Sequence, residues 1–408
     1  MERQSAAFDR LAFGAQAAFL ATLWLSLGQW LPQLEPLHVP LALSAVALAG
    51  LVARRATTGR PLWLGARGAA LVAFLALCAL SVTWSLAPEL SRAAALEVGK
   101  LVLLYVVIVN VVTTPRRLGF ALALMAAAAV VPALGTLSNW RDGTLLVDGF
   151  RARWLGVLAD PNHDAMALVA VVPLALTFAL RTVGVRRVLW LAAAAACVGA
   201  VVTTHSRGGA LGLALAVLVW ALLYRSKAQA VALALAGLAA VAAFAPTSFW
   251  ARNETIGDYA EDASAMGRVH AWQVAGAILR DRPLTGTGAG AFLEAWPVYA
   301  PLGTGHTRYV AHNVILEVAA EEGLPAVLLF SFFVAACARG AWRARRDPEV
   351  GPLASAVFAS LAGYVLCDLM SGYSLSWYLY VLCGLGAAAE RARAAVPREA
   401  PELVPLAA

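Results

Sequence analysis

Twelve apolar stretches leave this chain few folds to choose from. They lie near residues 11–31, 37–53, 68–84, 94–112, 118–137, 164–180, 188–203, 208–224, 228–245, 314–338, 352–370 and 374–389. Each approaches the length a helix needs to cross roughly 30 Å of hydrocarbon. A soluble chain carries about 25% charged residues, whereas this one carries 13%, with 61% hydrophobic residues and a mean hydropathy of +0.73. The expected fold is therefore an all-α polytopic membrane protein with about 12 transmembrane helices. The first run follows Arg3 and Arg10 without a persuasive cleavage site, so it reads as a retained span rather than a signal peptide.

Orientation follows from the arginines. With the N-terminus inside, the cytoplasmic segments hold Arg3 and Arg10, Arg54 to Arg67, Arg116 and Arg117, Arg181 to Arg187, Arg225 and Lys227, Arg339 to Arg346, and Arg391 to Arg398. Most of the 31 basic residues thus fall on one side, as the positive-inside rule requires. Both termini are expected to be cytoplasmic. The surplus of basic residues reflects topology, so nucleic acid is not an expected partner. The organisation is nine helices over 1–245, a large outer loop over 246–311, three helices over 312–389 and a cytoplasmic tail over 390–408. All five cysteines lie in apolar runs without ligand spacing, and no D-x-D occurs, so neither a disulfide framework nor a metal site is expected.

The outward arginines run against topology and so need another reason to be there. "THSRGGALG" places Arg207 at the outer end of a span, before two glycines that let backbones approach closely. In the long loop, "AMGRVHAWQVAGAILRDRPLTGTGAGAF" reads as an amphipathic helix followed by a packed glycine turn. Arg268, Trp272, Ala275 and Leu279 share one face, with Arg268 expected in the first turn and Trp272 at headgroup depth. "AHNVILEVAAEEGLP" crowds His312, Asn313 and three glutamates at the mouth of an apolar run. Gly323 and Pro325 suggest a break there, making 312–322 a short outer helix. At 100° per residue, Leu316 and Ala319 would share the face of His312, while Glu317 and Glu321 would point away, wet or paired. Taken alone, His312 is compatible with an interfacial or a catalytic role. Lys100 lies in a span three residues after Glu97, which suggests an ion pair facing the bundle interior or an accessory phosphate contact.

"HNVILEVAAEEGLPA" resembles the signature of the O-antigen ligase family, part of the Wzy_C-type group of membrane glycan transferases. His312, Asn313 and Gly323 fit the signature, and Ala326 stands where Gly, Thr or Tyr is usual. "LADPNHDAMAL" with Asn162, "THSRGGALG" with Arg207, and the stretch beginning at Arg268 also resemble the family, over roughly residues 155 to 330. The resemblance implies a GT-C-like fold whose long periplasmic loop contains short amphipathic helices, in a Gram-negative bacterial inner membrane with the active site facing the periplasm. It implies transfer of an O-antigen glycan from undecaprenyl pyrophosphate to a hydroxyl of lipid A-core, with membrane lipids as surroundings. The residue chemistry agrees: guanidiniums at Arg207 and Arg268 suit the departing pyrophosphate, and an imidazole at His312 suits a general base. The expected reaction is inverting and metal-independent, with no cofactor. Asn313, Asn162, Lys100, His306, Arg308, Arg151, Arg153, Trp272 and Asp368 are further substrate-binding candidates. A polymerase or a protein O-oligosaccharyltransferase would use the same donor. A small-solute transporter is the rival of another class, although the polar residues gather at one outer face rather than at a midplane.

Overall fold

The computed structural model describes residues 2–59, 61–247, 249–250, 263–301 and 307–395. Among them helix is the only extended regular structure, joined by turns and irregular loops, apart from one isolated bridge between Val147 and Arg151. The longer helices are α1 (Glu2–Leu25), α2 (Val39–Thr58), α3 (Gly65–Ser81), α4 (Pro88–Val111), α5 (Pro115–Ala128), α6 (Val130–Asp142), α7 (Pro161–Val169) and α8 (Val172–Arg181). They continue with α9 (Gly184–Thr203), α10 (Arg207–Leu223), α11 (Lys227–Phe244), α12 (Ala263–Asp281), α13 (Val314–Glu322), α14 (Leu324–Ala344), α15 (Gly351–Ser371) and α16 (Trp377–Ala394). Helix occupies every one of the twelve apolar stretches. Eight segments among the described residues are long and apolar enough to cross a membrane, and α3 and α10 are shorter apolar helices. The chain is a polytopic membrane protein.

Proline and glycine divide the stretches that read as single runs. The turn before α8 coincides with Pro173, which lacks the N–H an uninterrupted helix would use at that point. Gly323, at φ 82°, separates α13 from α14, and a Cβ there would lie 2.4 Å from the carbonyl carbon of Leu284. The outer helix therefore starts at Val314 and the span proper at Leu324.

Small residues decide which helices touch. A Cβ on Gly212 would lie 2.1 Å from Cys367 Sγ and 2.7 Å from the Gly363 carbonyl, so the glycines of "RGGALG" let α10 pack flat on α15. At the opposite end of the bundle, three guanidiniums from three helices converge on the last turn of α4. Arg391 donates to the Val109 carbonyl, Arg54 to Asn110 at 3.0 Å and Arg117 to Val111 at 2.9 Å. Asp9 on α1 bridges Arg54 and Arg117. Cations satisfy orphan carbonyls there and complement the negative end of the helix dipole. These arginines thus lock helices together.

Candidate active site

His312 lies just before α13, not on it. Asn313 is the N-cap, its side-chain oxygen accepting from the Ile315 and Leu316 amides at 3.0 and 3.1 Å. That bonding is structural, which removes Asn313's acceptor from substrate recognition. His312 itself takes φ 50°, a conformation non-glycine residues rarely adopt, so the helical-face argument for its neighbours does not hold. The end of α15 presses on this segment: Gly372, at φ 63°, leaves room for no Cβ, which would lie 2.5 Å from the Asn313 nitrogen and 2.9 Å from that of His312. The ring's Nδ1 is buried and has no hydrogen-bond partner among the described residues. Burial, then the Arg268 charge, pushes the His312 pKa down to about 4, against a hydrogen bond to the Ser371 backbone that favours the charged form. The imidazole is therefore neutral at physiological pH.

The glutamates are neither wet nor ion-paired. Glu321 is buried and accepts from the Gly290 and Phe292 amides at 2.7 and 3.2 Å. With Thr287 N bonded to the Ala320 carbonyl and Gly288 N to that of Glu321, the glycine turn is stapled to the end of α13. Glu317 accepts from the Ser374 amide and hydroxyl at 3.1 and 2.7 Å, and Glu322 meets the Cys78 thiol. Glu321 and Glu317 thereby dock two loops onto α13, and Glu322 ties its end to α3. Burial, then the Glu317 charge, raises Glu321 to about 8. A carboxyl raised on folding adds stability below its unfolded value near 4.3 and loses it as pH rises through the folded value. Melting temperature is therefore expected to fall between about pH 4.5 and 8, and a Glu321→Gln variant to show a flatter profile over that window. An unchanged slope in the variant would count against the assignment.

α12 is described from Ala263, which sets Arg268 beyond the first turn, contrary to expectation, so free helix N–H groups do not assist it. The buried stripe of α12 is Ala271, Val274, Ala275 and Ile278, packed on Phe292, Trp296 and Ala311. One turn after Arg268, Trp272 donates from Nε1 to the Ala311 carbonyl at 3.0 Å. The side chain expected to contact substrate instead ties the Arg268 helix to the residue before His312.

Arg207 opens α10, capped by Ser206, which accepts from the Gly209 amide at 3.1 Å. Ser206 in turn donates to Asn162 Oδ1 at 2.9 Å, and Arg151 Nη2 donates to the same oxygen at 3.0 Å. Arg151 is buried and also reaches the Thr204 carbonyl. Asn162 and Arg151 therefore brace the turn that presents Arg207. Gly208 lies against Met370, at the same end of α15 as Ser371 and Gly372, so Arg207 and the His312 segment meet around the last turn of that helix.

The other candidates are engaged elsewhere. Arg153 donates to the Ala159 carbonyl at 2.6 Å, and Arg308 pairs with Glu294 at 3.0 Å. Asp368 is buried and accepts from the Tyr373 amide at 3.0 Å, fixing the loop after α15. Lys100 pairs with Glu97, but the pair is partly exposed and does not face the bundle interior. His306 lies outside the described residues. No group of three or more metal-ligating side chains occurs among the described residues.

Sequence reasoning missed His163 and Tyr373, whose rings stack at 4.9 Å and 20°. Asp160 caps α7 through the Asn162 and His163 amides, and both Asp160 and His163 act electrostatically on His312. The only signal for His163 was its place beside Asn162, and Tyr373 carried none.

Residues 191–331 match the O-antigen ligase family, a span that contains Arg207, Arg268 and His312. The resemblance drawn from the motifs is therefore borne out over about that third of the chain. No curated protein matches the chain. A chain in a solved structure, described as "Structural coordination of polymerization and crosslinking by a peptidoglycan synthase complex", is similar at 18% identity. The similarity covers 81% of this chain and 98% of that one, with a TM-score of 0.45.

Proposed function

We propose that the protein is an O-antigen ligase that moves a glycan from undecaprenyl pyrophosphate to a hydroxyl of lipid A-core at the periplasmic face of a Gram-negative inner membrane. The observation that carries this reading is a neutral, half-buried imidazole, its Nδ1 without a partner among the described residues, beside Arg268 at the end of the bundle where Arg207 is also held. The match over 191–331 supports the same chemistry. In the proposed step the acceptor hydroxyl oxygen bonds to the anomeric carbon as the bond from that carbon to pyrophosphate breaks. His312 takes the hydroxyl proton, and pyrophosphate leaves with the bonding electrons. Attack opposite the leaving group inverts the anomeric centre. Arg207 and Arg268 offer bidentate, permanently charged donors for the leaving oxygens, the role a divalent cation fills in other phosphate chemistry, so the reaction is proposed to run in EDTA.

The test uses purified protein in liposomes with undecaprenyl-pyrophosphate glycan, lipid A-core and EDTA, read as a gel shift of the acceptor. A shift supports the ligase. Longer glycan on the carrier instead would make the protein a polymerase, and no donor consumption with any acceptor would point to transport.

The low His312 pKa has a kinetic signature. Protonation removes the base, so the acid limb of kcat/KM should lie near pH 4, well below the value of about 6.5 for an ordinary imidazole. Removing the depressing charge with Arg268→Gln should move that limb upward in the residual activity. A limb that stays in place would separate the two residues functionally.

A further inference from the structure

Lys100 and Glu97 stand where a membrane protein rarely places charge. They lie within the Pro88–Val111 span, with Nζ 2.5 Å from Oε1 and side chains 55% and 39% exposed. Leu96, Lys100 and Leu103 recur at i, i+4 and i+7, and both leucines are exposed, so this stripe faces outward. The inner face of α4 is formed by Val98, Leu101, Val102 and Tyr105, all buried. Charged side chains in spans nearly always face the protein interior, because hydrocarbon offers them no solvation. A pair on the outward stripe therefore needs polar company from outside the chain.

From that pair a line of polar and aromatic groups leads inward to the candidate site. Glu97 acts electrostatically on the Tyr373 hydroxyl. Tyr373 stacks on His163, and His163 acts on His312. A small cavity beside the stack is walled by Leu23, Val157, Tyr364 and Trp377 together with His163 and Tyr373.

We propose that this line is the lateral route by which a lipid-linked diphosphate enters the site, with Lys100 its first phosphate contact and Glu97 the counter-ion it exchanges. The proposal rests on the transferase reading above. Glu97 holds the ammonium in place while no substrate is bound, and a diphosphate displaces it because it offers more charge and more acceptor oxygens. A pair that only stabilises the helix would behave differently under substitution, which makes the two roles separable.

The experiment is initial transfer rate against concentration of the polyprenyl-pyrophosphate-linked glycan, in phosphatidylcholine vesicles with and without phosphatidylglycerol. Lys100→Gln is expected to raise the donor KM about tenfold with kcat unchanged, the loss of one charge-assisted hydrogen bond. Glu97→Gln is expected to lower it, because it frees the lysine. Two losses of the same sign, repaired by the exchange Glu97→Lys with Lys100→Glu, would make the pair structural and overturn the route. An effect of Lys100→Gln seen only with phosphatidylglycerol would assign the lysine to bulk anionic lipid and overturn it as well. Turnover with an unchanged donor KM in both variants overturns the route alone, whereas a wild-type chain that never consumes donor overturns the transferase reading beneath it.

Discussion

His312→Ala is expected to lower kcat for glycan transfer by about 10²- to 10⁴-fold, the range a positioned general base contributes, while the donor KM stays near that of the wild type. The split follows from charge. In the proposed reaction a neutral imidazole would add little to the binding of a diphosphate, whereas Arg207 and Arg268 would carry the charge that binds it. The imidazole becomes important as the acceptor hydroxyl gives up its proton. A diphosphate bound near Arg268 would offset the charge that holds the ring's pKa down, raising its basicity only when donor is in place. Under the proposed reaction, activation of the base would in that sense be coupled to donor occupancy, and the free protein would have little capacity to activate water. Steady-state kinetics of His312→Ala against donor and acceptor separately check this, with external imidazole as a rescue reagent. A fall of less than tenfold, or one confined to KM, would leave the hydroxyl activated by position alone.

The parts of the fold that were legible from sequence are those set by local chemistry. Apolar run length located the eight segments long enough to span, although it also marked four shorter or less apolar helices as spans, and the break at Gly323 was readable because a glycine with a proline two residues on favours an interruption. Arg207 and His312 stood out as polar groups where hydrocarbon forbids them without cause. What could not be read depends on partners distant in sequence. Arg151 looked like an outward cation, yet it is buried because Asn162 and the Thr204 carbonyl take its donors. The glutamates looked as if they must be wet or paired. Their actual partners are the amides of Gly290, Phe292 and Ser374 and the thiol of Cys78, which no spacing on α13 announces. Periodicity grouped Trp272 and Ala275 on one face of α12 but gave no sign that Trp272 spends its N–H on Ala311 or that Ala271, Val274, Ala275 and Ile278 make the packed stripe.

Gly372→Ala is expected to disable the site while leaving the bundle standing. Gly372 ends α15 at φ 63° and ψ 103°, with its amide on the Asp368 carbonyl and the next amide on the Asp368 carboxylate. Those bonds, and the glycine packing of α10 along α15, anchor the helix side of the contact. The His312–Asn313 segment is the side able to yield, because a Cβ at 2.5 and 2.9 Å from its two nitrogens must push something away. A displacement of about 1 Å at a reacting group can cost roughly 10² in rate. Backbone strain at such a residue costs about 1–3 kcal/mol, so some loss of melting temperature accompanies it and must be separated from the loss of rate. Gly59 supplies the comparison, since it caps α2 at φ 66° and a Cβ added there would meet nothing within 4 Å. Gly59→Ala should therefore share the backbone strain without the collision, lowering melting temperature by a similar amount and sparing kcat. If both variants lose rate in proportion to stability, the turn at Gly372 matters only to folding. If Gly372→Ala alone loses about 100-fold, the close approach of α15 is what sets the position of His312.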